Sequence, residues 1–250
     1  MTDWYVYDWE LQGLPARFNV DLKYVDEFDS LGDFTTLLYV SCYPKKQEAQ
    51  AFASREQRLL DAVGKECLKI LGDQCAFVGW IDIAAQRRYY FYTPDARLLV
   101  PLKAYCDEED GLRLECFKAE EPNRQTYYRL LVPDSAKRQS VDNERYIQSL
   151  RARGDDNDAF RRVNLYFYFP NANGRALFAE NAKSLGYAIG ETDYIPEREP
   201  SYYIALHVVS PLKPERINEL TTRAIYLAAT YGGVMEHFDS AFIPKRGIFG

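Results

Sequence analysis

His207 and His237 are the only two histidines in this 250-residue chain, so any imidazole chemistry must run through one of them. An imidazole titrates near neutral pH and can take a proton or serve as a hydrogen-bonding recognition group. Its neighbours by alternation are tyrosines. Ile204, Leu206 and Val208 alternate with Tyr203, Ala205 and His207, while Val163, Leu165 and Phe167 alternate with Tyr166 and Tyr168. If both apolar sets turn toward covering helices, Tyr166, Tyr168, Tyr203 and His207 share the opposite sheet face. His237, on the last strand, can join them. Two readings stay open. The face is a tyrosine-histidine recognition surface or carries a base poised near neutral pH, or its side chains are satisfied within a contact between domains or copies, because a bare aromatic face is a large apolar patch.

Other chemistry finds no support in the residue pattern. The acidic run Asp107-Glu108-Glu109-Asp110-Gly111 lacks the spaced oxygen ligands of a calcium loop and reads as a solvated helix end. Gly64-Lys65-Glu66 has no glycine-rich stretch before it and is not a phosphate-binding loop. The five cysteines, Cys42, Cys67, Cys75, Cys106 and Cys116, are odd in number and form no C-x-x-C pair. They read as buried reduced thiols. No nucleophile elbow, dinucleotide fingerprint or paired-histidine helix motif occurs. The expectation is therefore a non-enzyme with no metal and no cofactor. Stacked tyrosines on a sheet also suggest RNA-recognition modules, but the basic glycine-aromatic signature is missing and the net charge is -6. Direct nucleic-acid binding is not expected.

The elements that position these residues can be read from periodicity. Residues 161–242 give a strand, a helix begun after Pro170-Asn171 and ended by Gly186, two further strands, a long helix from Pro214, and a last strand after Gly232-Gly233. That order, β-α-β-β-α-β, is the split βαβ arrangement of ferredoxin-like folds. Residues 34–119 repeat it: a continuous apolar strand ended by Pro44, a helix after Ser54 carrying Leu59, Leu60, Val63, Cys67, Leu68 and Leu71, two strands, a helix from Ala96, and a strand ending at Ala119. A hairpin precedes them, turned by Gly13-Leu14-Pro15, and residues 127–132 have the composition of a further strand. The predicted fold class is α+β, with two ferredoxin-like (βαββαβ) domains built on antiparallel sheets, the first extended by an N-terminal hairpin. Residues 1–133 form the first domain, 134–159 a polar, partly helical linker, and 160–250 the second. Hydrophobic content of 47% with 27% charged residues is that of a water-soluble globular chain. No apolar run is long enough to span a bilayer, and the start Met1-Thr2-Asp3-Trp4 has no signal-peptide pattern. A cytoplasmic location with no membrane partner is expected.

The first half, through Trp4-Tyr5-Val6-Tyr7, Leu37-Leu38-Tyr39-Val40-Ser41, Val78-Gly79-Trp80 and Arg88-Tyr89-Tyr90-Phe91-Tyr92, resembles a bacterial domain-of-unknown-function family, number six-nine-five. The second half, through Leu165-Tyr166-Phe167-Tyr168-Phe169-Pro170, Phe178-Ala179, Leu185-Gly186-Tyr187 and Tyr231-Gly232-Gly233, is similar to the regulator of ribonuclease activity B family. The second resemblance implies a small regulator that binds ribonuclease E and restrains RNA decay. The sequence departs from that pattern where Val234-Met235-Glu236-His237 follows Gly233 in place of a Tyr-Asp-Gly-Trp type stretch, and its second half is close to charge-neutral. The function expected is a non-catalytic regulatory or protein-binding module with a protein partner, a ribonuclease being the class implied and a second copy of the chain being allowed. The alternative is a small-molecule binding protein or enzyme with a cleft between the domains, using the tyrosines, His207, Arg87 and Arg88.

Overall fold

The structure is a computed structural model that describes residues 2–46, 48 and 50–245. The chain divides into two compact units between Pro133 and Asp134. Each is an antiparallel sheet carrying helices, an α+β architecture. In the first unit the elements run β1 (Trp4–Leu11), β2 (Leu14–Asp21), α1 (Tyr24–Glu27), β3 (Thr36–Tyr43), α2 (Ser54–Leu71), β4 (Ala76–Ile83), β5 (Gln86–Thr93), α3 (Leu99–Glu108) and β6 (Arg113–Glu120). Its six strands lie in the order β1-β2-β4-β5-β3-β6. The continuous apolar run of β3 places it inside the sheet. Leu38, Val40 and Cys42 pack with Leu60, Val63 and Cys67 of α2 and with Leu102 and Cys106 of α3. Ser54 is the first helical residue of α2. The cap comes from Glu56, whose carboxylate accepts the Ala53 and Lys45 amides at 2.8 Å each.

The other face of this sheet is sealed by aromatic rings. Tyr7 stacks on Phe18 with centroids 4.7 Å apart, and Phe28 meets Tyr92 and Tyr127 edge-on. Residues 127–132, expected as a strand, form none: Thr126–Leu131 is a single wide helical turn that Val132 ends. The reason lies outside the segment. The Glu121 carboxylate accepts the Thr126 amide at 2.9 Å and the Thr126 hydroxyl at 2.7 Å, which fixes the start of a turn. The Tyr127 hydroxyl then reaches the Asp21 carbonyl at 2.8 Å, and the ring is fully buried. The β propensity of Tyr-Tyr-Arg-Leu-Leu is overridden by one cap and one long-range anchor.

The second unit opens with α4 (Ser135–Ala152) and continues β7 (Arg161–Phe169), α5 (Ala172–Ser184), β8 (Ala188–Tyr194), β9 (Tyr202–Ser210), α6 (Pro214–Thr230) and β10 (Val234–Ser240). The strand order is β10-β7-β9-β8. Asn171 caps α5 by accepting the Gly174 amide at 2.8 Å, and Pro214 stands at the first position of α6, where its missing N–H costs nothing. The polar stretch after Pro133 is an 18-residue helix that docks on α6. Its buried face, Ala136, Ser140, Asn143, Ile147 and Leu150, carries little apolar periodicity because the contact is partly polar. The Asn143 amide donates to Asn218 Oδ1 and Thr221 Oγ1 at 2.8 Å each.

A buried ion pair closes this unit. Arg161 Nη1 lies 2.7 Å from Asp155 Oδ2, with both side chains out of solvent. Arg161 also donates to the Ala241 carbonyl at 2.9 Å, and the Ile243 amide donates to Asp155 Oδ2 at 2.8 Å. The charged run 154–158 is thus pinned to the chain that follows β10. Burial drives the Asp155 carboxyl up, but the Arg161 bond and the Ile243 amide outweigh it and hold the group below its usual value. Replacing Asp155 by Ala strands a buried guanidinium, and the loss of unfolding free energy at pH 7 is expected to be about 3–5 kcal/mol in urea titrations. The carboxylate's contribution is complete above its unfolded-state value of about 3.9 and disappears as pH falls through the lower folded-state value. The gap between wild type and Asp155→Ala should therefore narrow below about pH 4. Equal midpoints at pH 7 would contradict this.

Candidate functional site

Strand alternation places the site. On β7, Val163, Leu165, Phe167 and Phe169 are buried beneath α5 and α6; Phe178 of α5 meets Phe167 and Phe169 at 4.9 Å each. Ile204 and Leu206 of β9 are buried on the same side. The register pairs Tyr168 with Tyr203, Tyr166 with Ala205 and Asn164 with His207. On the other edge of β7, Tyr166 pairs with His237 and Asn164 with Asp239. The face turned away from the helices therefore carries Tyr166, Tyr168, Tyr203, His207 and His237 together.

The Tyr166 ring stacks with Tyr203 at 6.2 Å and lies 4.6 Å from the His237 ring, and Tyr168 lies 5.4 Å from Tyr203. Four of these residues, Tyr166, Tyr168, Tyr203 and His237, border one groove of about 500 Å³. His207 lies in an adjoining depression of about 250 Å³ that shares Tyr166, Tyr203 and Glu191 with the first. Ala205, opposite Tyr166, supplies a floor small enough to leave that space open. Tyr168 is only 6% exposed, because the Arg198 guanidinium lies 3.7 Å from its ring centroid and ion-pairs with Glu236 at 2.7 Å.

A hydrogen-bond chain runs across the strands at the other end. Arg162 contacts His207 Nε2 and donates through Nε to Asn164 Oδ1 at 3.0 Å. Asn164 donates to Asp239 Oδ1 at 2.6 Å, and the Tyr166 hydroxyl donates to Asp239 Oδ2 at 3.0 Å. Burial and then the Asp239 carboxylate push the Tyr166 phenol up to about 12. Burial, followed by Glu191, raises that of Tyr203. Both phenols are neutral hydrogen-bond donors at physiological pH. Burial and then the Arg162 charge lower the His207 imidazole, which makes it neutral at pH 7 with its Nε2 lone pair directed at Arg162. Gly190 leaves room for the ring, since a Cβ there would come 2.0 Å from His207 Nε2 and the imidazole would have to move.

Sequence reasoning missed Arg162, Asn164, Glu191, Arg198, Glu236 and Asp239. For Arg162 and Asn164 the signal was present, because they continue the alternation that placed Tyr166 and Tyr168. Arg198 lies in a proline-flanked loop with no periodicity to place it. Arg87 and Arg88 lie on β5 in the first unit. Arg87 is bound to Asp82 at 2.7 Å and to Asp61 at 3.2 Å, and Arg88 donates to Ser41 Oγ at 3.0 Å. Neither imidazole is hydrogen-bonded to a hydroxyl or a thiol among the described residues. Among those residues no cluster of three or more His, Cys, Asp or Glu could hold a metal ion, and no helix is long and apolar enough to cross a membrane. The arrangement suits recognition by stacking, hydrogen bonding and charge.

Arg162→Ala removes the second cause that lowers His207. In an NMR titration of the imidazole C2 proton, the variant's His207 midpoint should move up from the wild-type value toward the ordinary histidine value of about 6.5. An unchanged midpoint would show that Arg162 does not act on the ring.

No curated protein matches the chain. A solved structure titled Crystal Structure of an Unknown Protein from Galdieria sulphuraria is similar over 83% of this chain and 98% of its own, at 8% sequence identity and a TM-score of 0.22. Residues 140–239, from within α4 to β10, match the model of the family described as Regulator of ribonuclease activity B.

Proposed function

We propose that this protein is a non-catalytic regulator that binds another protein through the tyrosine-histidine face of its second unit, and that the partner is a ribonuclease. One observation carries the reading: the family match over residues 140–239 spans the strands that build the groove and the helix α4 that braces α6. We read both units as ferredoxin-like. The strand orders β6-β3-β5-β4 and β10-β7-β9-β8 are the same when each unit's four strands are taken in chain order, and the hairpin β1-β2 extends the first. We read the chain as a cytoplasmic bacterial protein that acts on RNA decay through the nuclease, and the carboxylates that border the groove disfavour direct contact with RNA.

Aromatic side chains at the centre of a protein interface carry a disproportionate share of its affinity. Tyr203→Ala and His237→Ala in the full chain should each weaken binding to the cell's purified ribonuclease E about tenfold or more, measured by calorimetry. Inhibition of cleavage of a fluorescent RNA should fall in step, while the urea midpoint stays close to wild type. Undiminished binding in both variants, or inhibition that proceeds through RNA binding by this chain, would overturn the reading.

A further inference from the structure

Arg198 packs on Tyr168 and Glu236, two of the residues that border the groove. It sits on the loop between β8 and β9, where the Ile195 amide donates to the Ser201 carbonyl at 2.9 Å and the Arg198 amide to the Ile195 carbonyl at 3.1 Å. This closed turn sends its side chain back over the sheet. Its guanidinium lies 3.7 Å from the Tyr168 ring centroid and its Nη1 2.7 Å from Glu236 Oε1. A planar cation held between an aromatic face and a carboxylate is a recognition arrangement that favours arginine over lysine, whose ammonium cannot stack or bond in a fork.

The same ingredients continue along the groove beyond Arg198. Tyr166, Tyr203 and His237 offer ring faces, and Glu191 and Asp193 border them. Among the described residues neither of those two carboxylates has an ion-pair partner. The neutral phenols cannot repel or attract by charge, so the carboxylates set the sign of the groove. It is complementary to a cationic chain and repels phosphate. The pair that Arg198 makes with Glu236 is a surface one, with side-chain exposures of 41% and 32%. Such pairs contribute little net stability, so an incoming guanidinium can take its place.

We propose that the groove binds an arginine-bearing basic segment of the partner protein, and that Arg198 occupies one of its cation positions as a built-in competitor that the segment displaces. This rests on the protein-binding reading above and deepens it. It assigns Glu236, Tyr168 and Glu191 as specificity-determining residues and the loop carrying Arg198 as a strap.

The test is calorimetry on the full chain with three capped peptides of equal length, one alternating arginine with glycine, one lysine with glycine and one glutamate with glycine. The arginine peptide is expected to bind at least fivefold more tightly than the lysine peptide, and the glutamate peptide not at all. Arg198→Ala and Arg198→Gln should each bind the arginine peptide about tenfold more tightly than wild type, and Glu236→Gln and Glu191→Gln several-fold more weakly. Urea midpoints establish that each variant is folded. Equal affinity of wild type and both Arg198 variants for the arginine peptide would overturn the competitor role. Equal affinity for the arginine and glutamate peptides would overturn the groove assignment. If the peptide results hold and ribonuclease E fails to bind, the groove chemistry stands and the ribonuclease partner falls. Conversely, ribonuclease binding that excess arginine peptide does not displace removes this proposal and leaves the protein-binding reading intact.

Discussion

Strand β7 turns Val163, Leu165, Phe167 and Phe169 toward α5 and α6, and the two-residue period of an extended chain then sends Arg162, Asn164, Tyr166 and Tyr168 the other way. The placement of Tyr166 and Tyr168 on the candidate face follows from that division. Pairing with β9 sets Ala205 opposite Tyr166 and Tyr203 opposite Tyr168, so one small residue among rings makes a groove where four rings would make a flat stack. A slip of one residue would bury the tyrosines and expose Phe167. The apolar seal with Phe178 therefore fixes the register of the face as well as the stability of the core.

The electrostatics of the face come from what lies at its border. Burial keeps the phenols of Tyr166 and Tyr203 protonated, and burial with the Arg162 charge beside it keeps His207 neutral. Those three rings are thus uncharged, and the sign of the groove is set by Glu191 and Asp193, since Glu236 is paired with Arg198. Of the two arginines at the face, Arg198 is paired with Glu236 over the Tyr168 ring, and Arg162, bound to the uncharged His207 and Asn164, keeps its charge at the His207 end. That pattern is the basis of the proposed preference for a stacking cation over phosphate.

The strands of the second unit were legible in the sequence because their apolar residues alternate, β3 because its apolar run is continuous, and helices α5 and α6 because Asn171, Pro214, Gly186 and Gly232 mark their ends. The turn at Thr126–Leu131 was not, since its cause is a carboxylate at Glu121 and a carbonyl at Asp21, more than a hundred residues before Tyr127. The run Gly154-Asp155-Asp156-Asn157-Asp158 has the composition of a solvated loop, yet Asp155 and Asn157 are buried because Arg161 and the chain after β10 close over them. The docking of α4 was hidden for a related reason: Asn143 meets Asn218 and Thr221 through hydrogen bonds, which leave no apolar stripe to read. At the site, alternation located the tyrosines and histidines, while the cover on Tyr168 depends on a loop side chain that no periodicity places.

The central claim is that the sheet face bounded by β8 and β10 meets the partner. Hydrogen-exchange mass spectrometry on the full chain, alone and with the ribonuclease, tests it most directly, because the backbone of β8, of residues 195–201 and of β10 frames the groove. Slower exchange in those three segments, with α5 and α6 unchanged, is the expected result. Protection confined to α5 and α6, or to the first unit, would contradict it.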